Sequence, residues 1–243
     1  MSQEPVNPSS DLAARAPHDP AGDAPEPGTP HDPADDAPLD PVASAALIVD
    51  QRRRVESATD VDGRLLFGVW GVAWLLGFGL LWSVSRDEPL LDLSIGIALA
   101  IFTALLLSAV VITTIHTATR SVGVSGASAT QGAMYGWAWF LGFGGIGALG
   151  YALGRLDVEP ATLSTVMTVA STLLVGALYM AGGAIWQDRN QFALGAWIAL
   201  SSIAAAVVGF PHLLLLMSLA GGGGMLIGAV AEAARRRRRG ALR

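Results

Sequence analysis

Long stretches without a charged side chain constrain this chain more than any other feature of its sequence. A membrane-spanning helix needs about 20 mostly apolar residues, because the hydrocarbon core is about 30 Å thick and a helix rises about 1.5 Å per residue. Each of four uncharged stretches therefore has room for one span. They run from Arg64 to Arg86, from Asp92 to Arg120, from Arg120 to Arg155 and from Glu159 to Asp188.

A fifth stretch, positions 190–231, is about twice as long as one crossing needs and therefore suits two. Pro211 follows Gly209 and Phe210 near its midpoint and breaks a helix there, because proline has no N–H to donate. The sequence thus predicts an all-α integral membrane protein with six transmembrane helices. The spans are 65–85, 91–115, 132–154, 161–186, 191–210 and 212–232. A re-entrant final hairpin is the alternative to the last two.

The arginines predict the orientation of these spans. With the N-terminus inside, thirteen of the fifteen arginines fall in cytoplasmic segments, and only Arg86 and Arg155 fall outside. Short cytoplasmic segments carry an excess of basic residues, so both termini are predicted to be cytoplasmic. The chain has no lysine and is rich in alanine and glycine, which is typical of a GC-rich bacterial genome and predicts a bacterial cytoplasmic membrane.

Composition divides the chain into four segments. Residues 1–44 contain ten of the thirteen prolines and carry a formal charge of −8, so they are predicted to be a disordered cytoplasmic tail. Residues 45–63 are a cytoplasmic juxtamembrane segment, either a short helix along the headgroups or a charged linker. Residues 64–233 form the transmembrane domain, and 234–243 form a basic cytoplasmic tail.

A nine-residue pattern occurs twice in the predicted membrane domain. Residues 71–79 read GVAWLLGFG and residues 136–144 read GWAWFLGFG, with seven of nine positions identical at an offset of 65. The spacing from Arg86 to Arg120 also equals the spacing from Arg155 to Arg189. The sequence therefore predicts a duplicated helical hairpin in parallel orientation. Ala196-Trp197 is a candidate for a third, eroded copy.

The repeated pattern predicts close helix packing, because small residues let helix backbones approach each other in lipid. The alternative is that its tryptophans line a solute path. The candidate helix-packing residues are Gly71, Trp74, Gly77, Phe78, Gly136, Trp139, Gly142 and Phe143.

Two further groups are candidates for function. Hydroxyls on one face of the fourth span either bond to neighbouring helices or line a polar path. These are Ser164, Thr165, Thr168, Ser171 and Thr172. A basic run after the sixth span predicts an anchor for anionic lipid headgroups rather than a nucleic-acid site. Its members are Arg235, Arg236, Arg237, Arg238 and Arg239.

The sequence offers no pattern for chemistry. His116 and His212 are predicted at opposite membrane surfaces, and the chain has no cysteine, so no catalytic, metal or cofactor residue is proposed. We therefore expect a non-enzymatic accessory or regulatory membrane module. Its expected partners are the lipid bilayer and other membrane subunits or itself, with no nucleic acid. The alternative is a transporter or facilitator subunit for a small neutral or apolar solute.

Overall fold

The computed structural model describes residues 40–59, 62–120 and 127–241, and every regular element in these ranges is a helix. The helices are α1 (Pro41–Thr59), α2 (Gly63–Ser85), α3 (Ile95–Arg120), α4 (Ala127–Gly154), α5 (Pro160–Ile185), α6 (Arg189–Val208), α7 (His212–Leu216), a π-helical segment (Met217–Gly222) and α8 (Gly223–Ala241). The chain divides into two compact units, Met1–Arg52 and Arg53–Arg243. The predictions for residues 1–39 lie outside the described residues.

Helix α1 begins at Pro41, where the missing proline N–H costs nothing because the first turn has no partner for it. The Asp40 carboxylate accepts the N–H of Val42 at 3.2 Å. The helix thus starts within the segment predicted to be disordered and covers most of residues 45–63. Its position along the headgroups stays a prediction.

Five helical stretches are long and apolar enough to cross a membrane: α2, α3, α5, α6 and the continuous stretch His212–Arg238. The predicted third span corresponds to α4, which is 28 residues long but is not among the five. Glycine, tryptophan and tyrosine take the place of aliphatic residues along much of α4. The fold is therefore all-helical with five candidate spans, against the six that the sequence predicts.

Helix boundaries follow local signals in the sequence. The Asp188 side chain accepts the N–H groups of Asn190 and Gln191, which caps the start of α6. Helix α6 ends at Val208, and Gly209 follows it with a φ of +76°, a conformation that glycine adopts without strain. The break predicted at Pro211 thus lies between α6 and α7.

Contacts in the second unit place the helices in the order α3, α2, α7–α8, α6, α5, α4. Helix α8 lies between α2 and α6, and a Cβ on Gly228 would lie 3.5 Å from Leu194 of α6 and 3.7 Å from Phe67 of α2. Helices α5 and α6 approach closely, since a Cβ on Gly195 would lie 2.6 Å from the Met180 backbone nitrogen. Among the described helices, α3 packs extensively only on α2, and α4 only on α5.

The hydrophobic core accordingly lies between α2, α6 and the α7–α8 stretch. Its fully buried larger side chains include Ile198, Leu213, Leu214, Met217 and Met225. Helices α3 and α4, at the two ends of this order, contribute little to the hydrophobic core. Ala98 and Ala109 are the buried residues of α3, and none of the side chains described in α4 is buried.

Candidate functional site

The first copy of the repeated motif lies in the packed interior of the second unit. Trp74 is 3% exposed, and its ring makes an edge contact with Phe78 at a centroid distance of 5.5 Å. A Cβ on Gly71 would lie 2.9 Å from the Leu226 side chain of α8. A Cβ on Gly77 would collide with the Phe102 ring of α3. The motif on α2 therefore contacts two neighbouring helices, one on each side.

The second copy, on α4, has only one of these two neighbours. A Cβ on Gly142 would lie 3.0 Å from Leu174 of α5, which matches the contact of Gly77 with α3. The Trp139 ring lies against Phe143 and Tyr179, with centroid distances of 5.9 Å and 6.1 Å. Gly136, in contrast, has no atom within 4 Å of its would-be Cβ. The contact with the next helix of the same hairpin is thus present in both copies. The contact with a further helix, which Gly71 makes with α8, is present in the first copy alone.

The open side of α4 forms a shallow groove of about 340 Å³ lined by Ala133, Gly136, Trp137 and Phe140. Trp137 is 61% exposed and Phe140 is 68% exposed. At an offset of 65, Gly136 and Phe140 correspond to Gly71 and Leu75 of α2. We refer to Ala133, Gly136, Trp137 and Phe140 as the α4 groove.

The Thr172 part of the polar stripe on α5 faces the interior of the protein. Thr172 is 1% exposed and accepts the hydroxyl of the buried Ser202 on α6 at 2.5 Å. Thr172 in turn donates to the Thr168 carbonyl at 2.8 Å, and Thr165 donates to the Ala161 carbonyl at 2.8 Å. Ser164 and Ser171 are half-buried. The described hydrogen bonds of the stripe therefore serve the helix itself and its contact with α6.

Two polar contacts at the π-helical segment were not predicted from the sequence. The Ser218 hydroxyl donates to the Leu75 carbonyl of α2 at 2.7 Å. The Trp197 indole N–H donates to the Ala220 carbonyl at 2.8 Å. The Ala196-Trp197 pair was the available signal for the second contact. A lone serine among apolar residues gave no comparable signal for the first.

Polar side chains meet where α2 and α6 begin and α3 and α8 end, and we call this region the basic end. The Arg64 guanidinium pairs with the Asp62 carboxylate at 2.6 Å and lowers the Asp62 pKa to about 2. The Asp62 backbone N–H donates to His116 Nε2 of α3 at 3.1 Å. Glu232 of α8 accepts from the Asn190 side chain of α6 at 3.3 Å. These contacts join α2 to α3 and α6 to α8 at the same end of the second unit.

The predicted lipid anchor begins at the basic end. Arg235 and Arg236 form ion pairs with Glu232, at 3.5 Å and 3.1 Å. Arg237 and Arg238 are exposed, whereas for Arg239 only the backbone is described. The five arginines are therefore not equivalent, since the first two are engaged within the protein.

Among residues 40–59, 62–120 and 127–241, no group of three or more histidine or acidic side chains is arranged to hold a metal ion. No family model matches the chain, and no curated protein or solved structure matches it either.

Proposed function

We propose that this protein is a six-span, non-enzymatic module of a bacterial cytoplasmic membrane that acts as an accessory or regulatory subunit by binding membrane partners. The α4 groove carries the proposal. Lipid-facing surfaces need no glycine, whereas helix contacts in membranes use small residues for close backbone approach. Gly136, Gly144 and Gly147 all have open space around a would-be Cβ, and this supports a helix partner on α4.

The arginine distribution supports α4 as a membrane-spanning helix, which brings the number of spans to six. A helix of 28 residues extends about 42 Å, which exceeds the thickness of the hydrocarbon core. If α4 crosses, thirteen arginines lie inside and two lie outside. If α4 stays on the inner side, every later segment changes sides, and the count becomes seven inside against eight outside. Six crossings therefore agree with the positive-inside rule, and five do not.

The hydroxyl stripe favours this function over a solute path. Thr172 and Ser202 form their hydrogen bond within the α5–α6 contact, which is the arrangement expected of hydroxyls that stabilise helix association in membranes. The transporter alternative would require Thr168→Val to reduce solute flux in reconstituted vesicles.

The test is photo-crosslinking in native membranes with a benzophenone amino acid at Phe140. Position Val207 of α6, which is 84% exposed, provides the matched control. We expect protein adducts from position 140 and lipid adducts alone from position 207. Lipid adducts alone from both positions would remove the basis of the proposal.

A further inference from the structure

The repeat shows what kind of neighbour the α4 groove lacks. On α2, the equivalent face is covered by the π-helical segment and α8. A Cβ on Gly222 would lie 2.5 Å from the Leu75 backbone nitrogen, and Leu226 lies against Gly71. This covering stretch runs antiparallel to α2, because Leu226 follows Gly222 along the chain whereas Gly71 precedes Leu75.

The same arrangement surrounds α6, the first helix of the last hairpin. One side of α6 packs on α5, with a Cβ on Gly176 lying 2.9 Å from the Ala199 nitrogen. The other side contacts its own hairpin partner through Trp197 and Ala220. Both α2 and α6 therefore lie between two helices, each the second member of a hairpin. Helix α4 has one such neighbour, α5, and its groove has the place for another.

Helix α3 has the surface that such a neighbour requires. Four small residues follow one another at four-residue spacing along it, and all four are exposed: Gly96, Ala100, Ala104 and Ser108. At about 100° per residue, Gly96, Ala100 and Ala104 of this stripe lie roughly 120–180° around α3 from the buried Ala98 and Ala109, and Ser108 lies roughly 80–100° from them. The α3 stripe is therefore free while α3 remains packed in its own hairpin.

The two surfaces are complementary in size and depth. The large exposed rings of Trp137 and Phe140 on α4 would meet a surface of small side chains on α3, and small residues let membrane helices approach each other closely. Ser108 lies at the middle of α3, and Phe140 lies at the middle of α4. Both positions are thus at about the same depth in antiparallel helices.

We propose that the α4 groove of one copy of this chain binds the α3 stripe of a second copy. This inference rests on the proposed function and names its partner. Each copy offers one groove and one stripe, so a two-fold axis along the membrane normal gives two equivalent contacts and a closed dimer.

Disulfide cross-linking in native membranes tests this pairing directly, because the chain has no cysteine of its own. One copy carries Ser108→Cys and one tag, and the other carries Phe140→Cys and a second tag. Both sites are exposed, so neither change disturbs the packed interior. On mild oxidation, we expect a dimer that contains both tags. Adding Gly136→Leu should lower the cross-linked fraction about tenfold, the ratio that corresponds to about 1.4 kcal/mol.

The matched control is Leu141→Cys in place of Phe140→Cys, since Leu141 is 66% exposed and points about 100° away around α4. Equal cross-linking at 140 and 141 would overturn the pairing, as would the absence of a dimer with both tags. A double Ser108→Cys, Phe140→Cys chain that closes its disulfide as a monomer would overturn it too, because the contact would then lie within one copy. Capture of a different protein at position 140 would leave the proposed function standing and reject the second copy as the partner.

Discussion

At the scale of single residues, the surroundings of a glycine decide what it does, and the sequence does not show these surroundings. Gly77 and Gly142 occupy equivalent positions in the two motif copies, and each contacts the second helix of its own hairpin. Gly71 and Gly136 are also equivalent, yet only Gly71 is covered. The motif could be found from sequence identity alone. What lies against each copy depends on helices far along the chain.

Two glycine substitutions with opposite expected effects test whether the surroundings of a glycine decide what it contributes to stability. Alanine favours a helix over glycine by about 1 kcal/mol, so Gly145→Ala, at an exposed position of α4 where an added Cβ meets open space, should leave thermal stability unchanged or slightly raised. Gly195→Ala should lower it, because the added Cβ would lie 2.6 Å from the Met180 nitrogen, and such overpacking costs about 1–3 kcal/mol. Thermal unfolding of the purified protein in detergent measures both. A similar change in the two variants would contradict the described α5–α6 contact.

At the scale of helices, the Asp62 cap of α2 should make stability depend on pH. Arg64 holds the Asp62 pKa at about 2, below the value of 3.8 expected in the unfolded chain. The stabilisation is therefore complete above about pH 3.8 and is lost as the pH falls toward 2. Asp62→Asn keeps a capping side chain but loses the charge.

The unfolding temperatures of wild type and Asp62→Asn should differ most at pH 5 and converge toward pH 2. The difference should be modest, because Asp62 and Arg64 are partly exposed to solvent, which screens their attraction. A gap that stays constant over this pH range would show that the charge of Asp62 contributes nothing.

Helix positions were largely predictable from the sequence, because charged residues and proline mark where apolar helices end. The predicted span 65–85 corresponds to α2, and 161–186 corresponds closely to α5 at both ends. The π-helical segment Met217–Gly222 was not predictable; its glycines pack closely against Leu75 and Trp74 of α2, which lie far away along the chain. The site was predictable only as a motif, and the difference between its copies was not.

The C-terminal arginines provide a second prediction at this scale. Arg235 and Arg236 pair with Glu232, whereas Arg237 and Arg238 are exposed. Each arginine near an anionic membrane surface contributes about 1 kcal/mol of attraction. Replacing Arg237 and Arg238 by Gln should therefore weaken binding of anionic lipid more than the same change at Arg235 and Arg236. Lipid-binding assays with phosphatidylglycerol and phosphatidylcholine compare the two double variants, and equal losses would show that the ion pairs do not matter.

At the scale of the whole molecule, the helices of the second unit form a series with α3 and α4 at its ends, and both ends present open apolar faces. The proposed six crossings place these faces in the bilayer and the basic end on the cytoplasmic side. Whether α4 crosses decides the side of everything after it, from Arg155 to the C-terminus. The account of partner binding through α4 therefore depends on this one crossing.

Labelling of single cysteines with a membrane-impermeant maleimide measures that crossing most directly. Asp157→Cys, which follows α4, and Gln187→Cys, which follows α5, are each expressed in intact cells with the outer surface made accessible to the reagent. The account predicts that position 157 is labelled from outside and that position 187 is labelled only after the membrane is permeabilised. Labelling of position 187 but not position 157 in intact cells would contradict the six-span arrangement.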